Sequence, residues 1–169
     1  MMNICRIIVA LSFATIACKG RNKDVSVSHT EKDREVNKIQ LKDLNGQPIN
    51  LEKYKGKTIF INFWATWCKP CIEEMPSIEK AQNILRNEKI VFLLASNEST
   101  EEIDMFRDNH NYKFKYARIE NSEDLGIQVL PTTYIFNPEG KLVFSESGYR
   151  SWNEKNNIDM ILKIANTNE

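Results

Sequence analysis

Residues 64–71 read Trp64-Ala65-Thr66-Trp67-Cys68-Lys69-Pro70-Cys71, and they contain two cysteines separated by two residues. An apolar run at 58–63, rich in β-branched and aromatic residues, leads directly into it, and a helical pattern follows. A buried strand that delivers two cysteines spaced C-x-x-C to the start of a helix is typical of a thiol–disulfide redox site. We therefore predict that Cys68 and Cys71 are the redox-active pair.

The composition of the 169-residue chain excludes one class of partner. Basic and acidic residues are equal at 23 each, so no strong field favours nucleic acid. Hydrophobic residues make up 41% and charged residues 27%, which is ordinary for a soluble globular domain.

The first 17 residues are predicted to be a signal peptide. Arg6 supplies one positive charge, and the apolar run at 7–17 is shorter than the roughly 20 residues that span a bilayer. The run ends Thr15-Ile16-Ala17-Cys18, which resembles a bacterial lipoprotein signal with Cys18 as the lipidated residue, although Thr15 stands where leucine is usual. An ordinary signal peptide cut near Ala17 is the alternative. Either way we expect the protein in the periplasm or cell envelope.

The chain has four cysteines, and their positions favour a reactive pair. Cys5 would leave with the signal and Cys18 would carry the lipid, so no structural disulfide remains in an exported protein. Residues 18–37 are polar, without an apolar stripe, and are predicted to be a disordered tether.

From Lys38 to the end of the chain the sequence predicts one α/β domain. A β-hairpin is expected over 39–51, with Asn45-Gly46 at its turn. Further strands are predicted at 58–63, 90–95, 116–119, 129–136 and 141–146, a helical turn at 122–126, and helices at 69–87, 99–109 and 152–165. Alternating strands and helices imply parallel strands, and a turn at 137–140 folds the last strand back as a hairpin.

Several motifs at matching spacing carry a resemblance to a known family. They are Phe63-Trp64-Ala65, Trp67-Cys68, Pro70-Cys71, Leu44-Asn45-Gly46, Gly56-Lys57, Glu74-Met75-Pro76, Leu130-Pro131-Thr132-Thr133 and Asn137-Pro138-Glu139-Gly140. Together they resemble the thioredoxin superfamily and, within it, the membrane-tethered TlpA- and ResA-like thiol–disulfide oxidoreductases. The resemblance implies a thioredoxin fold, with a mixed central sheet flanked by helices and an N-terminal β-hairpin.

The two cysteines take different roles in the predicted mechanism. Cys68 precedes the helix, whose free N–H groups and dipole favour a thiolate, so it is the candidate nucleophile. Cys71 lies one turn further, where it can attack the mixed disulfide. A zinc half-site and a haem attachment site are the alternatives. His29 and His110 are distant from the pair, and Ile72 stands where haem attachment needs histidine, so we predict no metal and no other cofactor.

Glu74 is the third candidate catalytic residue. It shares one helical face with Cys71 and three apolar or small positions, Ile78, Ala81 and Leu85, which should pack on the sheet. Burial there would raise the pKa of the carboxyl group toward neutrality, so that it could carry a proton during exchange. The alternative is a carboxylate that reaches water, as Glu73 does. The resemblance assigns an active-site glutamate to this position, whereas typical cytoplasmic thioredoxins have a buried aspartate at the position of Asn62.

The resemblance also implies the substrate-binding residues. Pro131 is expected to be cis and to lie against the dithiol, and Leu130 to present its backbone to the substrate chain. Thr132, the next residue of the motif, is also predicted to bind substrate. Trp67 is a plausible contact for a bound peptide, whereas core packing explains Trp64.

We therefore expect a monomeric enzyme that reduces disulfides in exported protein substrates and receives electrons from a membrane donor. The resemblance implies reduction as the direction and apocytochrome c as one substrate class, because some members serve cytochrome c assembly. A thiol peroxidase is one alternative, but the peroxiredoxin P-x-x-x-T-x-x-C loop would need proline at Ile61 and threonine at Ala65. A tethered binding or holdase module with incidental cysteines is the other.

Overall fold

The computed structural model describes residues 34–167. The signal peptide predicted over 1–17, lipidation at Cys18, His29 and most of the tether lie outside the described residues. Within 34–167, no helix is long and apolar enough to cross a bilayer.

Within residues 34–167, six strands form one mixed sheet, with three α-helices between and after them. The strands are β1 (Leu41–Lys42), β2 (Thr58–Phe63), β3 (Ile90–Ser96), β4 (Tyr116–Ile119), β5 (Thr132–Phe136) and β6 (Leu142–Ser147). The helices are α1 (Lys69–Ile84), α2 (Thr100–Asn109) and α3 (Lys155–Ala165). The spatial order is β1-β4-β3-β2-β5-β6, in which β2, β3 and β4 are parallel and the other pairs are antiparallel. The predicted α/β architecture with a mixed central sheet is confirmed.

The central strand β2 is covered on both faces, which explains its nearly continuous apolar sequence. All six residues are buried. Phe60 packs with the three helices, whereas Ile59, Ile61 and Phe63 face a second core closed by the N-terminal segment. Strand alternation therefore sends Asn62 to the helix side, the face that also carries the redox helix.

The N-terminal boundary of the domain lies earlier than the sequence predicts. Residues 34–37, assigned to the tether, are folded: Glu35–Lys38 form a short 3-10 helix and Val36 is fully buried. The Arg34 guanidinium lies 2.8 Å from Glu52 and also donates to the Glu139 carbonyl at 2.9 Å. A single buried valine among polar residues leaves no periodic pattern, so sequence reading could not detect this segment.

The predicted hairpin at 39–51 is formed only in part. Its turn exists, with Gly46 N–H donating to the Asp43 carbonyl at 2.9 Å and φ of 78° at Gly46. The first arm is the two-residue strand β1, which pairs with β4. The second arm forms one bridge, between Pro48 and Lys42, and then enters a 3-10 helix at Leu51–Tyr54.

The other predicted elements agree closely with the structure. Strands β2 and β4 have the predicted bounds, and a turn occupies 122–126. Helix α1 ends at Ile84 rather than 87, and α3 begins at Lys155 rather than 152. Strand β5 begins at Thr132 rather than 129, directly after Pro131, the proline predicted to open it.

Candidate active site

The redox pair lies at the start of α1. Cys68 is the N-cap residue of this helix, Pro70 occupies its first turn, and the two sulfur atoms are joined as a disulfide. Cys68 is 4% exposed and Cys71 is fully buried. An incoming sulfur therefore reaches Cys68 before Cys71, and the free N–H groups of the helix end stabilise negative charge at Cys68.

Strand pairing places the start of the proline strand next to the end of β2, from which the loop to the dithiol leaves. Phe63, the last residue of β2, pairs with Thr132, the first residue of β5, in an antiparallel register. Trp64, which begins the loop to the dithiol, and Pro131 are the neighbours of this pair along the chain. The Leu130–Pro131 peptide bond is cis, as the resemblance implied.

Glu74 is buried inside the helix face that packs on the sheet. Cys71, Glu74, Ile78 and Ala81 are all fully buried, which confirms the predicted face. The Glu74 carboxylate accepts hydrogen bonds from the Trp152 indole at 2.6 Å, the Arg150 N–H at 3.1 Å and the Asn62 amide at 3.1 Å. Burial is the largest influence and raises the pKa of Glu74 to about 7, although the three hydrogen bonds oppose that rise.

Asn62 connects Glu74 to the proline strand. Its amide nitrogen donates both to Glu74 and to the Thr133 hydroxyl, the latter at 3.0 Å. Its amide oxygen is buried and has no hydrogen-bond partner among the described residues. A flip of the amide would let this oxygen accept a hydrogen bond from the O–H of a neutral Glu74, so Asn62 can serve both protonation states of the carboxyl group.

Sequence reasoning missed the segment that completes the Glu74 site. Trp152 was assigned to the last helix, but it precedes α3, and its buried ring packs edge-on against Phe60 and Phe144. The Ser77 hydroxyl accepts from the Trp152 N–H at 3.0 Å, which fixes the same segment against α1. Trp152 lies 78 positions from Glu74 and 75 positions from Ser77, and no local pattern links it to either residue.

An uncharged groove lies beside the dithiol. It encloses about 420 Å³ between Phe63, Trp64 and Trp67 on one side and Ile127, Val129 and Leu130 on the other. Trp67 is 73% exposed and Val129 is 56% exposed, so apolar surface rims the opening. All of the described residues that line this groove are uncharged.

The substrate-binding predictions divide into two groups. Trp67 and Leu130 line the groove, whereas the Thr132 side chain is 4% exposed and turned inward. Its hydroxyl donates to the Val129 carbonyl at 2.6 Å and contacts the Ser147 hydroxyl at 2.7 Å. The side chain of Thr132 therefore holds the proline loop rather than facing a substrate, and a motif alone could not reveal that orientation.

Glu98 is a second residue of the site that the sequence did not single out. It follows β3 and contacts the loop that carries the cysteines, through hydrogen bonds from Thr66. One sequence feature could have predicted this role: Glu98 comes just after β3, a strand predicted to be parallel to β2. Parallel strands end at the same edge of the sheet, so a polar residue there lies near the loop that follows β2.

Of the two histidines considered as metal ligands, His110 lies within the described residues and His29 lies outside them. Within residues 34–167, no group of three or more histidine, cysteine, aspartate or glutamate side chains is placed to hold a metal ion. His110 is partly buried rather than a simple surface residue, because it stacks on Phe106 with ring centroids 3.9 Å apart.

Comparison with known sequences identifies relatives for most of the described chain. Residues 33–145 match the AhpC/TSA family. Thioredoxin-like protein YneN of Bacillus subtilis strain 168 is 34% identical over 107 residues, covering 60% of this chain and 63% of the relative. Thiol-disulfide oxidoreductase ResA of Bacillus thuringiensis subsp. konkukian is 31% identical over 114 residues, covering 65% and 66%. The chain thus spans less than two thirds of these relatives' length.

Solved structures show the same fold. A thiol:disulfide interchange protein of the thioredoxin family from Chlorobium tepidum TLS has a TM-score of 0.61 and 25% identity, covering 75% of this chain and 92% of that one. The exposed lipoprotein thioredoxin of Streptococcus pneumoniae strain TIGR4 has a TM-score of 0.57 and 24% identity, covering 73% and 96%. The thioredoxin-like fold expected from the sequence is confirmed.

Proposed function

The chain belongs to the AhpC/TSA family, and from this premise we propose that it is an exported thiol–disulfide oxidoreductase that reduces disulfide bonds in protein substrates. One observation supports the proposal: a C-x-x-C pair lies at the start of α1, and a cis-proline precedes β5, the strand that pairs with β2 ahead of the redox loop. Relatives that are named thiol-disulfide oxidoreductases support the same reaction.

The reaction follows from the different exposure of the two sulfur atoms. The thiolate of reduced Cys68 attacks one sulfur of the substrate disulfide, forming a mixed disulfide while the other substrate sulfur leaves as a thiolate and takes up a proton. Cys71 then loses its proton and attacks the Cys68 sulfur, which releases the second substrate thiol. Two electrons and two protons pass to the substrate, and the enzyme retains the Cys68–Cys71 disulfide.

Glu74 serves as the proton carrier for Cys71 in this scheme. It lies one helical turn after Cys71 on the same buried face, and its pKa of about 7 allows it to exist in either protonation state near neutral pH. The charged form can accept a proton. Before it does so, the three hydrogen-bond donors around Glu74 stabilise the carboxylate in the absence of solvent.

The groove indicates which substrates fit. A volume of about 420 Å³ rimmed by Trp67 and Leu130 accommodates a large apolar side chain beside the substrate cysteine. An extended peptide would pass over Pro131 and place its apolar residue in the groove. Because the lining is uncharged, docking should depend weakly on salt concentration.

The proposed location of the protein in the cell envelope is inferred from residues outside the described range. The signal over 1–17 and lipidation at Cys18 would anchor the domain to a membrane of the cell envelope, with the tether from residue 18 as spacer. An exported domain lies apart from cytoplasmic reductants, so a membrane donor must return two electrons to the disulfide after each cycle.

Thiol peroxidase activity is the second candidate, because peroxiredoxins share this fold and the upstream hairpin. The residues at the dithiol argue against it, since Ile61 and Ala65 occupy the positions that need proline and threonine. Hydrogen peroxide consumption by the reduced protein distinguishes the two functions, and we expect slow dithiol oxidation without efficient turnover.

Insulin reduction tests the proposed function directly. The wild type should precipitate insulin in the presence of dithiothreitol, while Cys68→Ser should fall to the uncatalysed rate. Cys71→Ser should form mixed disulfides that persist, because it lacks the resolving thiol. Equal activity of the wild type and Cys68→Ser would refute the oxidoreductase and leave a binding module. Partners trapped in cells by Cys71→Ser distinguish apocytochromes c from a wider set of exported proteins.

A further inference from the structure

The loop that joins β2 to α1 carries both Trp67 and Cys68, and it is supported by a few hydrogen bonds. At its start, the Trp64 N–H donates to the Ala95 carbonyl at 3.0 Å; at its end, the Cys68 N–H donates to the Ala65 carbonyl at 3.1 Å. Thr66 lies between these two points. Trp67, the next residue, is 73% exposed and so receives little support from packing.

Glu98 holds Thr66 through both of that residue's donors. The Thr66 N–H donates to one carboxylate oxygen at 2.7 Å, and the Thr66 hydroxyl donates to the other at 2.6 Å. Hydrogen bonds to an ionised acceptor are roughly twice as strong as bonds between neutral groups. A two-point contact of this kind fixes the direction of the Thr66 backbone as well as its position.

The carboxylate is itself fixed by the end of β3. Ser96, the last residue of that strand, donates its hydroxyl to Glu98 at 2.9 Å and accepts the Glu98 N–H at 3.2 Å. Strand β3 is paired in parallel with β2, with Ala95 opposite Phe63, and α2 begins two residues after Glu98. The Glu98 carboxylate that binds Thr66 therefore lies between two rigid elements, β3 and α2.

We propose that Glu98 is a positioning residue of the redox loop: by holding Thr66, it sets the orientation of Trp67 and Cys68 toward a docked protein disulfide. This inference rests on the proposed function. Small disulfides need access to the Cys68 sulfur alone, whereas a protein substrate also contacts Trp67 and the groove. Loss of the Glu98–Thr66 hydrogen bonds should therefore impair reactions with protein substrates more than reactions with small disulfides.

The test compares Glu98→Ala with a conservative variant and a structural control. Glu98→Gln keeps one acceptor oxygen for the Thr66 N–H and an amide that can donate to its hydroxyl. Ser99→Ala removes the adjacent α2 capping box, in which Ser99 and Glu102 bond reciprocally, without touching Thr66. For each protein we would measure kcat and KM with insulin, the rate with a small aromatic disulfide, and Tm.

We expect Glu98→Ala to lose about tenfold in kcat/KM for insulin, mostly through KM, while its rate with the small disulfide stays within about twofold. Glu98→Gln should recover most of the loss. Ser99→Ala should lower Tm and leave both reactions unchanged. Wild-type kcat/KM for insulin in Glu98→Ala would overturn the proposal, as would an equal loss with both substrates.

Amide hydrogen exchange at Thr66 provides a readout without activity. The Thr66 amide should exchange at least about tenfold faster in Glu98→Ala than in the wild type or Ser99→Ala, because its acceptor is gone. If the wild type does not reduce insulin, the proposed function fails. An unchanged Thr66 exchange rate in Glu98→Ala would show that Glu98 does not hold Thr66, whatever the activity of the wild type.

Discussion

At the scale of single residues, the site depends on one carboxyl group in an enclosed polar environment. Glu74 has no exposed surface, yet three donors from different parts of the chain point at its oxygens. Burial alone would favour the neutral acid, and the donors favour the carboxylate. Their balance gives a pKa of about 7, where a proton carrier is most useful near neutral pH.

Replacing Glu74 by glutamine should remove one step from the pH dependence of cysteine reactivity. In the reduced wild type, alkylation of Cys71 should change as Glu74 titrates near pH 7, because a carboxylate and a thiolate on one buried face influence each other. In Glu74→Gln this step should vanish, and kcat/KM for insulin should fall by about 100-fold. Iodoacetamide labelling read by mass spectrometry measures the rates over a pH series.

Glu73→Gln is the matched control for this experiment. Glu73 precedes Glu74, but its side chain is 57% exposed and lies 3.7 Å from Lys69. The Glu73 variant should retain the wild-type pH profile. A Glu74→Gln profile that coincides with the wild type would rule out the proton-carrier role.

At the scale of elements, short segments outside the α-helices and β-strands complete the core. The 3-10 helix at Glu35–Lys38 contributes the buried Val36, whose N–H donates to the Gly140 carbonyl at 3.0 Å. Arg34 packs over Gly140 so closely that a Cβ atom there would lie 2.5 Å from the guanidinium nitrogen. Gly140 also has φ of 78°, a conformation that favours glycine.

A chain that begins at Lys38 should be less stable than one that begins at Asp33. The shorter chain loses the burial of Val36 and leaves Glu52, whose side chain is 15% exposed, without Arg34. We expect a loss of about 3 kcal/mol in the free energy of unfolding, measured by urea denaturation. Equal midpoints for the two chains would mean that residues 33–37 do not belong to the folded unit.

At the scale of the whole molecule, the buried carboxyl group makes stability depend on pH. The folded protein has the raised pKa of about 7 at Glu74, against an ordinary value of 4.5 in the unfolded chain. Between these values the folded state binds more protons than the unfolded state, so the free energy of unfolding falls as pH rises. The stabilisation linked to this proton is fully present below pH 4.5 and is lost as pH passes through about 7.

The change in the free energy of unfolding with pH can be measured by denaturation. The oxidised wild type should lose about 3 kcal/mol relative to Glu74→Gln between pH 4.5 and neutral pH, because one pKa unit corresponds to about 1.4 kcal/mol. Glu73→Gln should follow the wild type across the series. A difference between the wild type and Glu74→Gln that does not vary with pH would contradict a neutral buried acid.

Local sequence patterns were sufficient to predict several features of the fold and the site. The apolar run of β2 placed Cys68 at the start of α1, because a strand buried on both faces and a helix with period 3.6 leave distinct signatures. The same period placed Glu74 on the buried face before any partner was known. The proline motif predicted the cis bond at Pro131 through the resemblance.

The distant groups that meet at the redox pair could not be predicted from the sequence. Trp152 is 78 positions from the carboxylate it contacts at Glu74, and Glu98 is 32 positions from Thr66. The inward turn of Thr132 and the burial of Val36 are likewise set by packing between separate segments. Local propensity carries no record of such contacts, since they form only when the sheet brings its strand ends and connecting loops to one edge.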